Sequence, residues 1–194
     1  MVFLGYEEIP PRMSEHEAAE ALRRRMYAAL AGGAEPPVCR EAGGKPYYAY
    51  GAVRFSVSHS GSAAACVLSV PGVVQSREFR CLDASPDAPE VGVDIERIRD
   101  TEAVDRLRRI AARFFPAPMR ARLADIPEAA FPRAFCDAWT ICESTVKMTG
   151  QGFGRGFGEL DFDGVRLVRD TILLSGEEYC LCTALCAARG GESI

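Results

Sequence analysis

Long apolar runs are missing from this 194-residue chain, and no stretch approaches the ~18 to 20 consecutive apolar residues that carry a helix across a bilayer. The N-terminal Met-Val-Phe-Leu-Gly-Tyr-Glu-Glu also lacks the basic region and apolar core of a secretory signal. A cytoplasmic protein that engages no membrane is the expectation. Surplus positive charge is absent too: the net charge is -4 and the sequence pI about 5.3, which argues against a general nucleic-acid binder. Lysine is scarce. Of 23 Lys plus Arg only Lys45 and Lys147 are lysines, and where arginine is used so freely a lysine marks a place that wants a compact point charge.

What is present is the balance of a soluble globular protein, 48% hydrophobic against 26% charged, enough for one large domain or two small ones. Eight cysteines are spread through it. Cys66, Cys81, Cys136, Cys180, Cys182 and Cys186 mostly sit within apolar runs and read as buried thiols. Cys180, Cys182 and Cys186 lack a second ligand pair at finger-like spacing, so packing is a better account than structural zinc.

Val2 to Tyr6 reads as a strand, and Ser14-Glu-His-Glu17 as a capping box opening a helix that turns Ala18, Leu22, Met26 and Leu30 inward before Gly32-Gly33. The triplet Arg23-Arg24-Arg25 reads as a solvated face. Pro36-Pro37 and Gly43-Gly44 bracket a loop delivering Lys45-Pro46, and Tyr47 to Tyr50 is extended. Arg54 to Ser60 reads as a strand that brings Ser58 and His59 to its end, with Ala63 to Val70 returning. Residues 83 to 90 are linker-like and divide the chain into halves of 1–88 and 89–194. Val91 to Glu96 reads as a strand with Val91, Val93 and Ile95 on one face and Asp94 and Glu96 on the other. Such a carboxylate pair suits Mg²⁺ beside phosphates, or is simply the wet face of a strand.

Asp100-Thr-Glu opens a helix with Val104, Leu107, Ala111 and Phe114 inward, and eight arginines against three acids fall between residues 97 and 122. A helix from Pro132 to Gly150 places Trp139, Glu143 and Lys147 on one stripe, with Phe135, Ala138, Cys142 and Val146 apolar. The glycines from Gly150 to Gly158 follow a helix and contain no Gly-x-Gly-x-x-Gly, so a dinucleotide loop is excluded by context. Leu160 to Val168 reads as a hairpin turning at Asp163-Gly164, with further strands at Thr171 to Leu174 and Tyr179 to Ala188.

In order, Gly44-Lys45-Pro46, Phe55-Ser-Val-Ser58-His59-Ser60-Gly61, Val91-Gly-Val-Asp94-Ile-Glu96 and Trp139-x-x-x-Glu143-Ser144-x-x-Lys147 with Gly150-x-Gly152 resemble the 4'-phosphopantetheinyl transferase superfamily, in its longer, pseudo-dimeric subclass. The resemblance implies an α+β fold of two similar halves in a pseudo-twofold arrangement, each a small antiparallel sheet packed on helices, working as a monomer. It implies an enzyme that moves the 4'-phosphopantetheine arm of coenzyme A to a serine of an apo acyl or peptidyl carrier protein, in fatty-acid, polyketide or nonribosomal-peptide synthesis, releasing adenosine 3',5'-bisphosphate. By motif position, Asp94, Glu96 and Glu143 would hold Mg²⁺, or Mn²⁺. Lys45 and Pro46 would border the adenine, and Ser58 and His59 would contact the phosphates. Lys147 would bind the phosphate under attack, and Glu143 would act as base.

The chain departs from the family pattern in three places. Cys142 stands where a lysine usually precedes the metal-binding glutamate. Pro116-Ala-Pro-Met119-Arg lacks an assisting glutamate, and the N-terminal half lacks the usual lysines for the 3'-phosphate, for which Arg23 to Arg25 or Arg40 could stand in. These departures leave a second reading open, a degenerate, non-catalytic relative that binds coenzyme A or a carrier domain.

Overall fold

Alternation in the first strand sets the layering: Val2 and Leu4 face one core while Phe3 faces another, and all three are buried. The computed structural model describes residues 1–85, 89–99, 103–152 and 156–186. In chain order the elements are β1 (Val2–Glu8), α1 (Glu15–Leu30), β2 (Val38–Arg40), β3 (Pro46–Tyr48), β4 (Arg54–Ser60), β5 (Ala63–Ser69) and β6 (Arg80–Asp83). These are followed by β7 (Glu90–Arg97), α2 (Val104–Phe114), α3 (Ala117–Ala124), α4 (Phe131–Thr149), β8 (Arg166–Leu174) and β9 (Glu177–Cys186). No helix among the described residues is long and apolar enough to cross a membrane.

The architecture is α+β with antiparallel sheets packed on helices. A four-stranded sheet runs β4-β5-β1-β6, a three-stranded sheet runs β7-β9-β8, and β2 pairs with β3 as a small ribbon. Every residue of β5 is buried, because α1 covers one of its faces and β7 approaches the other. Ala18 and Ala19 of α1 meet Ala64, small side chains that let helix and sheet approach closely. On the inner faces, Val2, Leu4, Ala65 and Val67 share one core with Val93, Ile95, Tyr179 and Leu181, so the hydrophobic interior is continuous between the two sheets. α4 packs over β7 and β9.

The capping box forms as read: Ser14 Oγ accepts from the Glu17 N–H, and the Ser14 N–H donates to Glu17 at 2.9 Å. α4 carries Pro132 in its first turn and ends at Gly150 in the left-handed region, φ 74°. Three readings are corrected. The hairpin of the second sheet turns at Ser175-Gly176, both at positive φ, and Asp163-Gly164 is a loop turn before β8; Thr171 to Leu174 belongs to the single strand β8. Arg23 is buried, not solvated, with ion pairs to Glu20 and Glu35 and its guanidinium over the Tyr48 and Phe55 rings. Cys81 is exposed, whereas Cys66, Cys136, Cys142, Cys180 and Cys182 are buried free thiols. Part of the linker-like segment, the start read at Asp100-Thr-Glu, and Ala187 and Ala188 lie outside the described residues.

Candidate active site

β7 and α4 build the centre of the site. Gly92, Asp94 and Glu96 share the face of β7 that α4 crosses, and a Cβ at Gly92 would lie 2.0 Å from the Ser144 carbonyl oxygen. The absent side chain lets helix and strand touch backbone to backbone, which brings Asp94 under Lys147. Asp94 is 5% exposed, so the face that bears it is not wet. Its Oδ1 accepts from Lys147 Nζ at 2.7 Å and from Ser58 Oγ at 2.7 Å, while Lys147 also donates to Ser58 at 2.8 Å. Asp94 Oδ2 is buried without a hydrogen-bond partner among the described residues.

The seam between the sheets is stitched by alternate serines of β4. Ser56 Oγ accepts from the Val93 N–H at 3.1 Å and Ser60 Oγ from the Arg97 N–H at 3.2 Å, with Ser58 on Asp94 between them. A second fastening is Lys45, whose Nζ bonds the Glu90 carboxylate at 2.5 Å and the Met148 carbonyl near the end of α4. Its loop fits because a Cβ at Gly43 would lie 2.1 Å from the Gly150 oxygen. Sequence reasoning had no signal for either device, since both depend on contacts more than 30 residues apart.

Above these groups opens a cleft of about 530 Å³. Lys45, Pro46, Ser58 and His59 border it from one side, and Asp94, Glu143 and Lys147 from the other. Glu96 stands apart from them, bordering a second cavity and lying 3.9 Å from Arg99. His59 Nδ1 is 2.9 Å from Glu15 at the head of α1. Sequence reading missed His16 and Glu20, which α1 presents to the cleft. Scarcity was the available signal: the chain has two histidines and two lysines, and all four border this cavity. Of the arginines suggested for a phosphate, Arg40 borders the cleft, whereas Arg23 is buried against carboxylates and Arg25 pairs with Glu7 and Glu78. Cys142 has no exposed surface and lies in the apolar cluster with Phe115, Phe157 and Cys182; burial pushes its thiol up to about 12.

Glu143 is half-buried and borders the cleft beside Lys147. Burial pushes its carboxyl up to about 7, the charge of Asp94 adds to this, Lys147 opposes it, and Glu96 adds further. Among the described residues, no group of three or more His, Cys, Asp or Glu side chains stands close enough to hold a metal ion as folded. The donor chemistry nevertheless fits a hard divalent cation at Asp94 and Glu143: an orphaned buried carboxylate oxygen shares the cleft with a carboxyl whose ionised form is disfavoured by burial first and by the charge of Asp94 second.

The mixed α+β architecture brings carboxylates and both lysines of the chain to one cleft. The family profile of the 4'-phosphopantetheinyl transferase superfamily matches residues 90–189, just over half of the chain, and the protein belongs to that superfamily. No curated protein matches the chain.

Proposed function

We propose that the protein transfers the 4'-phosphopantetheine arm of coenzyme A to a serine hydroxyl of an apo carrier protein or domain, with Mg²⁺ or Mn²⁺ as its metal. The observation that carries this reading is the cleft itself, where two lysines, two histidines, Ser58 and the three carboxylates Glu20, Asp94 and Glu143 converge from both sides of the sheet seam. Phosphoryl transfer is mostly positioning and neutralisation of charge, which is what such a wall supplies.

In the reaction, the serine oxygen forms a bond to the phosphorus that carries the pantetheine. The bond from that phosphorus to the bridging oxygen breaks, and its electron pair leaves with adenosine 3',5'-bisphosphate. Glu143, whose carboxyl burial raises to about 7 in the metal-free protein, takes the serine proton. Lys147 exchanges Asp94 and Ser58 for the oxygens of the phosphate under attack. Ser58 and His59 contact the coenzyme A phosphates, while Lys45 and Pro46 border the adenine. Asp94 and Glu143, with Glu96 at the next outward position of β7, would hold the divalent cation, which when bound neutralises the diphosphate.

Incubation with coenzyme A, Mg²⁺ and a panel of apo carrier domains is expected to add one phosphopantetheine arm, read by intact mass, and chelation of the metal to stop it. Glu143→Ala and Asp94→Ala are each expected to lower the rate at least ~100-fold. Unmodified carriers, under conditions where a known transferase loads them all, would overturn the reading. Tight binding of coenzyme A without transfer would identify a ligand-holding relative instead, which the absence of a carboxylate between Pro116 and Arg120 favours.

A further inference from the structure

We infer that the groove between α3 and β8 is a second binding site, and that its ligand is a single-chain fatty acid, an unbranched apolar tail ending in one carboxylate. The groove encloses about 580 Å³, slightly more than the cleft and within the ~300 to 1,000 Å³ of sites that hold small organic molecules. No residue that lines it borders the cleft, so the site stands whether or not the protein is a transferase. Helical rotation keeps the two apart. Ile141 and Glu143 lie two residues apart on α4, about 200° around the helix, so the first turns to the groove and the second to the cleft.

The walls ask for an apolar tail. Met119 of α3 and Ile141 of α4 are buried in the core cluster around Phe115 and still border the groove. Leu160 and Phe162, from the loop before β8, and Leu167 of β8 pack on that same cluster yet stay half-buried. Large apolar side chains left half-covered around one hollow are stabilised by an occupant that takes their remaining surface out of water.

Charge fixes the head group. Among the described residues that border the groove, the charged ones are Arg122 from α3 and Arg169 from β8. Arg120, two residues before the first of these, is held inside the fold, donating to the Phe115 carbonyl at 2.6 Å. Arg122 is exposed and makes no ion pair or hydrogen bond among the described residues. Arg169 reaches Asp137 at 3.1 Å through one guanidinium nitrogen, Nη1. Two guanidinium groups against one carboxylate leave a single positive charge, which one carboxylate head neutralises with charge-assisted hydrogen bonds. A neutral or cationic amphiphile would leave that charge without a counter-charge beside apolar surface.

The test uses dodecanoate below its micellar concentration, titrated into the full-length protein by calorimetry at neutral pH, with acetate as the head alone and dodecyltrimethylammonium as the same tail with the opposite charge. One dodecanoate per chain is expected to bind saturably, acetate to show no binding, and dodecyltrimethylammonium to bind at least ~10-fold more weakly. Arg122→Gln/Arg169→Gln, two exposed positions, is expected to weaken dodecanoate at least ~10-fold at low salt, with the deficit shrinking at high salt. Leu160→Ser/Phe162→Ser is expected to weaken it severalfold at both salts, and Lys147→Gln, in the cleft, to leave it unchanged. Far-ultraviolet dichroism checks that each variant is folded, and the arginine pair decides alone if the apolar pair is not. Wild-type affinity in the arginine variant, loss on Lys147→Gln, or equal uptake of the ammonium overturns the inference. Uptake that does not saturate is partition onto the surface and overturns it as well, and no uptake by the wild type leaves the groove to a peptide segment and does the same.

Discussion

Glu143 is held in an environment that suits its protonated form, and this has a consequence for stability. Its folded value of about 7 lies above the ordinary 4.5, so the folded state holds the proton more tightly than the unfolded chain. The contribution is therefore fully present below pH 4.5 and is lost as pH rises through 7. At 1.36 kcal/mol per unit, discounted for residual solvent contact, the ionised carboxylate costs the fold roughly 2 kcal/mol. Glu143→Gln is thus expected to match the wild type at pH 4.5 and to exceed it by about that amount at pH 8, in urea unfolding with chelator present; a gap independent of pH would refute the burial argument. Mg²⁺ is expected to raise the wild-type melting temperature more at pH 8 than at pH 5, and to do so far less in Asp94→Asn. The stripe of Trp139, Glu143 and Lys147 was legible because helical spacing alone predicts it. The company Lys147 keeps was not, since Asp94 and Ser58 are 53 and 89 residues away in sequence.

At the scale of elements, local chemistry named the starts and stops well and the pairings less well. Ser14-x-x-Glu17 and Pro132 with Gly150 fixed α1 and α4 because a cap acts within a few residues. Asp163-Gly164 and Ser175-Gly176 are both competent turns, and what makes the second the hairpin is the pairing of β9 with β7 and β8 together, a long-range fact. β6 and α3 went unread for a related reason: β6 is four residues long and pairs with β1 about 77 residues earlier, and α3 has neither a side-chain cap nor a clear apolar stripe. Gly92 gives this scale its own prediction. A methyl group there meets the Ser144 oxygen at 2.0 Å and the Met148 nitrogen at 2.5 Å, backbone atoms that cannot swing aside. Gly92→Ala is expected to cost about 3 kcal/mol and to displace α4 from Asp94. Ser14→Ala, which touches only a cap at the molecule's surface, is expected to cost about 1 kcal/mol and leave coenzyme A binding intact. Similar losses in the two variants would show that the contact between β7 and α4 relaxes freely.

Across the whole molecule, two halves meeting at residues 83 to 90 would be expected to melt as two bodies if the join were superficial. The structure argues otherwise. Val2, Leu4, Ala65 and Val67 lie in one core with Val93, Ile95 and Leu181, and the seam above that core is closed by polar bonds. Removing the hydroxyls of Ser56 and Ser60 would leave the N–H groups of Val93 and Arg97 without their partners, and an unpartnered buried donor costs roughly 1 to 3 kcal/mol. Lys45 and Arg54 together hold Glu90 below its ordinary value, although burial alone would raise it. By linkage that contribution is present above pH 4.5 and lost as pH falls below it. The seam, and with it the cleft, should therefore loosen in acid. The expected behaviour is one cooperative urea transition at neutral pH, with Trp139 fluorescence from α4 and far-ultraviolet dichroism from the whole chain superimposing. Ser56→Ala/Ser60→Ala should lower its midpoint by roughly 2 to 4 kcal/mol of stability while the two probes stay together. Separation of the probes in the wild type would mean that the shared core does not couple the halves, and that the cleft lies between bodies which open independently.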